Sequence, residues 1–87
     1  MTQFDVEIRV MPRAALLDPQ GQTVEHALAA LGFEGIRGVR VGRAVAFSLE
    51  RDDTRQAERD VRAMCERLLA NPVTEDFTIT LRAGAST

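Results

Sequence analysis

Between Phe4 and Val10 the chain alternates without a break. Phe4, Val6, Ile8 and Val10 fall on one side, and Asp5, Glu7 and Arg9 on the other. A period of two belongs to a β-strand whose two faces meet different surroundings. One face is dry and has to be covered, and the other meets water or a partner. Pro12 ends the run. The same pattern returns in Val45, Phe47 and Leu49 of a strand expected from Ala44 to Glu50. It returns again in Phe77, Ile79 and Leu81 of one expected from Val73 to Arg82. A further strand is expected from Gly35 to Val41. Gly42-Arg43 then reads as a two-residue hairpin turn, with Gly first as a type II′ turn requires.

Cover for the dry faces comes from two stretches with helical spacing. Val24, Ala27, Leu28 and Leu31 recur at i, i+3, i+4 and i+7, which places a helix over about Gln22–Leu31. Leu16 to Gly21 reads as a shaped loop, with Pro19 and Gly21 holding the chain out of helix. Gly32 stands where a helix often ends in a left-handed residue, and Phe33 can fold back on the last turn. The second helix starts at Asp52-Asp53-Thr54, whose side chains can cap free backbone amides. Its apolar stripe is Ala57, Val61, Met64, Cys65 and Leu68, and Asn71-Pro72 stops it.

The resulting β-α-β-β-α-β order predicts an α+β fold. It is a two-layer sandwich, an antiparallel sheet with two helices on one face. The 87 residues form one domain, with 83–87 expected as a frayed tail. A chain of this size buries only roughly 60 to 70% of the surface its unfolded form exposes. A small core and open sheet edges together predict an oligomer.

Composition removes several function classes. Eleven basic residues, all Arg, stand against 13 acidic ones, for a net charge of -2. Binding to nucleic acid or to a membrane surface would call for a basic excess. The absence of Lys excludes Schiff-base and P-loop lysine chemistry. Cys65 is the one cysteine, so no disulfide forms within the chain, and this usage fits the cytoplasm. No apolar run approaches the roughly 20 residues of a membrane span.

No catalytic set assembles either. His26 lies just off the first helix's apolar stripe, without a second ligand or base at a useful spacing. Cys65 sits on a buried stripe, where a cysteine is a small core residue. Asp52 and Asp53 are explained by helix capping. Two readings in other classes stay open on the residues alone. One is a stand-alone ligand-sensing module of this topology, and the other a small hydrolase.

Three blocks of sequence carry a resemblance. Leu17-Asp18-Pro19-Gln20-Gly21 with Val24, Ala27-Leu28 and Leu31-Gly32-Phe33 is similar to the first signature of the PurS family. Val39-Arg40-Val41-Gly42-Arg43 is similar to the second, with Arg43 where the family often has Lys. Leu68-Leu69-Ala70-Asn71-Pro72-Val73, with Glu75, is similar to the third. The resemblance implies a PurS-like fold, related to ferredoxin-like domains. It also implies a small non-catalytic subunit of phosphoribosylformylglycinamidine synthase, in the fourth step of purine biosynthesis. Such a subunit bridges the synthetase subunit PurL and the glutaminase subunit PurQ and supports ammonia transfer between them. ATP and Mg belong to the synthetase, so no cofactor is expected in this chain. A homodimer or higher homo-oligomer is implied as well. Asp18, Pro19, Gln20 and Gly21 then have a second reading as a docking loop. Arg40 and Arg43 become candidates for pairing with partner carboxylates, and Asn71 for a partner contact.

Overall fold

The computed structural model describes residues 1–14 and 18–84. Leu16 and Leu17 of the expected loop, and 85–87 of the expected tail, lie outside the described residues. The elements are β1 (Thr2–Pro12), α1 (Pro19–Ala30), β2 (Arg43–Arg51), α2 (Thr54–Met64), a π-helical turn (Cys65–Leu69) and β3 (Glu75–Ala83). The three strands form an antiparallel sheet in the order β2-β1-β3.

The alternation read in the first strand sets the core. Phe4, Val6, Ile8 and Val10 are buried, at most 3% exposed, while Asp5, Glu7 and Arg9 face out. In register, Val6 lies between Phe47 and Leu81, and Ile8 between Val45 and Ile79. These flanking residues are only half-buried, because one helix covers the sheet mainly along its middle strand.

That helix is α2. Asp53 caps it, its Oδ1 accepting the Gln56 amide at 2.8 Å. Ala57, Val61 and Cys65 are fully buried against the sheet. Leu68, expected on the same stripe, is 81% exposed. The π-helical turn is the reason. The Ala70 amide reaches back five residues to the Cys65 carbonyl, at 2.9 Å, so one extra residue enters the turn. The phase shifts, Leu68 rotates out, and Leu69 packs on the core in its place.

Other expectations change as well. First, α1 begins at Pro19 rather than Gln22. A proline fits the first helical position, where its missing N–H would have no partner anyway. Second, residues 35–41 form no sheet strand and the hairpin at Gly42-Arg43 is absent, so among the described residues the sheet has three strands where four were expected. Gly35 and Gly38 take left-handed conformations, at φ 82 and 67, which interrupt an extended ladder. The Val39 and Val41 amides are taken by side chains, as described below. Third, Ala83 is paired in β3 and the Gly84 amide bonds the Gln3 carbonyl, so the strand extends past the expected end at Arg82.

Helix α1 ends as its sequence implies. Gly32 is left-handed at φ 97, its amide bonds Ala29, and the Phe33 amide reaches Leu28. These are the paired bonds of a Schellman stop. Yet α1 does not lie on the sheet beside α2. Val24 is 39% exposed, Leu31 73% and Phe33 57%. The chain extends over 51 × 31 × 15 Å with a radius of gyration of 16.6 Å. A compact chain of this length would have about 12 Å.

The burial pattern predicts a sharp contrast between two apolar truncations. Ile8→Ala removes a fully buried side chain and lowers the unfolding free energy by about 2–5 kcal/mol. Leu68→Ala, on the same helical stripe by sequence, changes it by less than about 0.5 kcal/mol. Urea denaturation of the two variants measures both.

Candidate functional site

The three sequence blocks meet at one end of the sheet, around the last residues of β1. The first block contributes the start of α1. Asp18, the residue before the helix, accepts the Val41 amide on Oδ2 at 2.8 Å. One turn on, Gly21 is buried, and a Cβ there would collide with the Val39 carbonyl. Glycine is therefore required inside this helix by close backbone approach rather than by a turn. Glu25 adds a third tie, with Oε1 accepting the Val39 amide at 3.2 Å. The helix start thus takes up amides that a fourth strand would have paired.

The second block continues from there. Arg40 donates from Nη1 to the Pro12 carbonyl at 2.9 Å. At Gly42 a side chain would meet the Val10 carbonyl and the Met11 sulfur, so the chain passes tightly beside β1 before entering β2. Arg43 then joins the second block to the third. Its Nη1 and Nη2 donate to both carboxylate oxygens of Glu75, at 2.8 and 3.1 Å. Nη2 also donates to the Leu69 carbonyl at the end of the π-helical turn, at 2.6 Å. A forked guanidinium on a carboxylate is the strong, directional form of ion pair. A Lys at this position would keep the charge and lose the fork.

The third block closes the hub. The Asn71 amide donates to Glu75 Oε1 at 2.7 Å, and its carbonyl accepts the Glu75 amide at 2.8 Å. Asn71 Oδ1 accepts the Val73 amide at 3.0 Å. Arg13 holds the same loop from the far side, donating to the Pro72 carbonyl at 2.6 Å.

Electrostatics follow these bonds. The Arg43 guanidinium holds the Glu75 carboxyl below its ordinary 4.5, with help from the Asn71 amide. The Arg43 guanidinium is itself raised, chiefly by its bond to Glu75. The Val41 amide holds Asp18 below its ordinary 3.8, and the Gly21 and Gln20 amides and the Arg40 charge add to this. Elsewhere Arg51 bonds Asp60 at 2.6 Å and lowers its carboxyl in the same way.

All seven residues singled out in the sequence therefore lie in or beside this hub. Asp18, Gly21, Arg40, Arg43 and Asn71 are held by contacts within the chain, Pro19 opens α1, and Gln20 is exposed. Arg43 finds its carboxylate in Glu75 of the same chain. The sequence did not mark Glu25 or Arg13. Their bonds connect residues 14 and 59 positions apart, and no local pattern announces such pairs.

The arrangement has no bond-making chemistry of its own among the described residues. His26 is exposed on α1. Cys65 is fully buried, and burial pushes its thiol up, away from the reactive thiolate. Among the described residues no group of three His, Cys, Asp or Glu is placed to hold a metal ion. A shallow depression on the polar face of the sheet is lined by Asp5, Glu7, Ser48, Thr80 and Arg82. It contains no histidine or cysteine.

Residues 5–83 match the family model PurS, described as phosphoribosylformylglycinamidine (FGAM) synthase. The chain belongs to the PurS family. The phosphoribosylformylglycinamidine synthase subunit PurS of Mycobacterium leprae is 49% identical over 73 residues, spanning 84% of this chain and 89% of that protein. The Methanothermobacter thermautotrophicus PurS subunit is 35% identical over 79 residues, spanning 91% of this chain and 93% of its own length. Among solved structures, a chain of Thermotoga maritima PurLQS is similar with a TM-score of 0.85 and 30% identity. That match covers 94% of this chain and 100% of the other. Bacillus subtilis PurS gives a TM-score of 0.82 at 34% identity, covering 91% and 98%. The three blocks that carry the resemblance in the sequence are the segments that the hub ties together.

The hub predicts a particular acid response. Asp18, Glu75 and Asp60 all have depressed values in the folded chain. Their contribution is fully present above the unfolded values and is lost as pH falls through the folded ones. The urea midpoint is thus expected to hold near neutrality and to fall as pH drops below the ordinary 4.5 and 3.8. Glu75→Gln lowers the midpoint at neutral pH and flattens the acid decline. Denaturation curves at a series of pH values measure both effects.

Proposed function

We propose that this chain is the non-catalytic bridging subunit of a split FGAM synthase. It joins the synthetase subunit PurL to the glutaminase subunit PurQ and supports passage of ammonia from one to the other. The complex then converts formylglycinamide ribonucleotide, glutamine and ATP into formylglycinamidine ribonucleotide. The observation that carries this reading is the likeness over nearly the whole chain to a chain of the Thermotoga maritima PurLQS assembly. Ammonia released into water near neutral pH is protonated and loses its nucleophilic lone pair. A bridge that holds two sites under a dry cover prevents that loss. Such a part needs shape and rigidity, and the hub supplies both without a nucleophile.

In this reading ATP and Mg belong to the synthetase, and this chain holds no cofactor of its own. The complex works in the cytoplasm. The buried single cysteine is consistent with that, and no described helix is long and apolar enough to cross a membrane. The docking surface is the hub end of the molecule. Asp18, Gly21, Arg40, Arg43 and Asn71 shape it from within, and Pro19 and Gln20 present its outer face. Arg43, whose side chain is half exposed, offers its outer edge to a partner carboxylate while holding Glu75. A stand-alone sensing module gains no support, because the relatives compared above are PurS chains.

The chain also acts as a homodimer or higher homo-oligomer. Helix α1 stands away from the sheet with Val24, Leu31 and Phe33 exposed. A second copy is the occupant that fits, because each protomer leaves the outer rows of its dry sheet face only half-covered. One protomer's exposed helix face matches the other's exposed sheet rows.

Two measurements test these statements. In a reconstitution of the synthetase and glutaminase subunits, glutamine-dependent turnover falls to background when this chain is omitted. Ammonia-dependent turnover by the synthetase subunit remains. Unchanged glutamine-dependent turnover without the chain would defeat the bridging role. For the oligomer, Leu31→Asp is expected to lower the mass seen by light scattering while leaving the helical circular dichroism intact. An unaltered mass would exclude the α1 face as the contact.

A further inference from the structure

The chain leaves α2 by a route that gives up an apolar contact. An unbroken α-helix through Val61 and Cys65 would carry Leu68 on its buried stripe. The π-helical turn advances the phase instead, and Leu68 is 81% exposed. Val73, five residues on, is 75% exposed. The backbone between them is held at nearly every step. The Ala70 amide donates to the Cys65 carbonyl, Arg43 to the Leu69 carbonyl and Arg13 to the Pro72 carbonyl. The Asn71 side chain accepts the Val73 amide, and its carbonyl accepts the amides of Thr74 and Glu75. An irregular segment bonded like this keeps one shape. Two apolar side chains presented on it lose little freedom when a partner covers them.

We propose that the π-helical turn is a docking knob, whose Leu68 and Val73 enter an apolar socket on one of the two subunits that this chain bridges, with a carboxylate at the socket's rim meeting Arg43. The proposal rests on the bridging role stated above and names the side chains that do the holding. Charge supports this occupant. In the Arg43–Glu75 pair the carboxylate side chain is 19% exposed and the guanidinium side chain 50%, so the pair turns its positive edge to solvent. That edge lies at the foot of the turn, because the same guanidinium bonds the Leu69 carbonyl. The knob therefore has an apolar tip and a cationic side. Buried apolar anchors surrounded by polar contacts are the arrangement that carries binding energy between proteins. A π-helical turn is also a recurrent device for re-aiming a side chain at a functional position.

A second copy of the chain does not fit the knob. Knob against knob would bring two Arg43 guanidiniums together, and like charges oppose that contact. The depression on the polar face of the sheet is lined by Asp5, Glu7 and Arg82, which an entering leucine would strip of water. The contact between copies proposed for α1 uses Val24, Leu31 and Phe33, on a different element. Folding does not account for the outward leucine either. Leu69 and Ala70 supply the core contacts at this end of α2, and Leu68 adds none.

The test titrates the full chain into the purified synthetase and glutaminase subunits and follows glutamine-dependent turnover. Leu68→Ala and Val73→Ala are each expected to raise the half-saturating concentration of the chain about tenfold or more. The turnover reached at saturation stays at the parent's value, because docking is weakened and passage is not. Leu68→Met, which keeps apolar volume, stays within about threefold of the parent. Raised salt weakens the parent's docking by screening Arg43, while the penalty of Leu68→Ala persists. Light scattering gives both alanine variants the parent's mass, and urea denaturation gives them the parent's midpoint. Alanine variants that half-saturate where the parent does would overturn the knob and leave the bridging role standing. A parent chain that turnover does not require would overturn both. A lower mass for either alanine variant would identify the occupant as a second copy and overturn the proposal. A lower plateau at an unchanged half-saturating concentration would also overturn it, by placing these side chains in passage rather than docking.

Discussion

The dry face of β1 is the constraint on which the rest of this structure depends. Four alternating side chains, Phe4, Val6, Ile8 and Val10, are removed from water by one helix and two flanking strands. A single helix spans roughly 10 Å, about two strand spacings, so it covers the middle of a three-stranded sheet and leaves its margins half-wet. With so small a core, the apolar surface that α2 does not reach becomes the surface available for assembly. The elongated shape and the outlying α1 are consequences of the same shortage.

Rigidity at the other end of the molecule has a polar origin. The start of α1 and two loops that carry no regular hydrogen-bond ladder are joined by side chains acting on backbone. Asp18 and Glu25 take the amides of Val41 and Val39, and Arg43 links Glu75 to the Leu69 carbonyl. Satisfying loop amides in this way lets irregular chain hold one conformation without burial. The proposed bridging role requires a fixed shape, and loops held like this keep one. It also explains why the conspicuous residues of the three blocks are mostly bonded inward. They make the surface by shaping it.

Much of this was legible in sequence because the relevant forces are local. Strict alternation identified β1 and its buried face, as well as the faces of β2 and β3. Gly32 marked the end of α1, and Asp53 the start of α2. Where local rules competed with distant contacts, they failed. Pro19 and Gly21 read as loop residues, yet Pro19 is an acceptable helix opener and Gly21 is in the helix to admit the Val39 carbonyl. Val39 and Val41 read as strand, yet their amides were claimed by carboxylates far away in sequence. Leu68 read as core, but the π-helical turn advanced the phase by one residue and turned it outward.

The amino-acid sequence on its own determined the α+β class, the antiparallel sheet and the identity of its dry face. It also excluded a catalytic set built on lysine, paired cysteines or several histidines. Those follow from periodicity and composition, which act within a few residues of one another. Only the tertiary structure decided that three strands are paired rather than four, that α1 stands clear of the sheet, and that Arg43 is bound to Glu75. These outcomes depend on which distant carbonyl or carboxylate reaches a given amide first, and on how much sheet one helix can cover. No short-range pattern in the chain records either quantity.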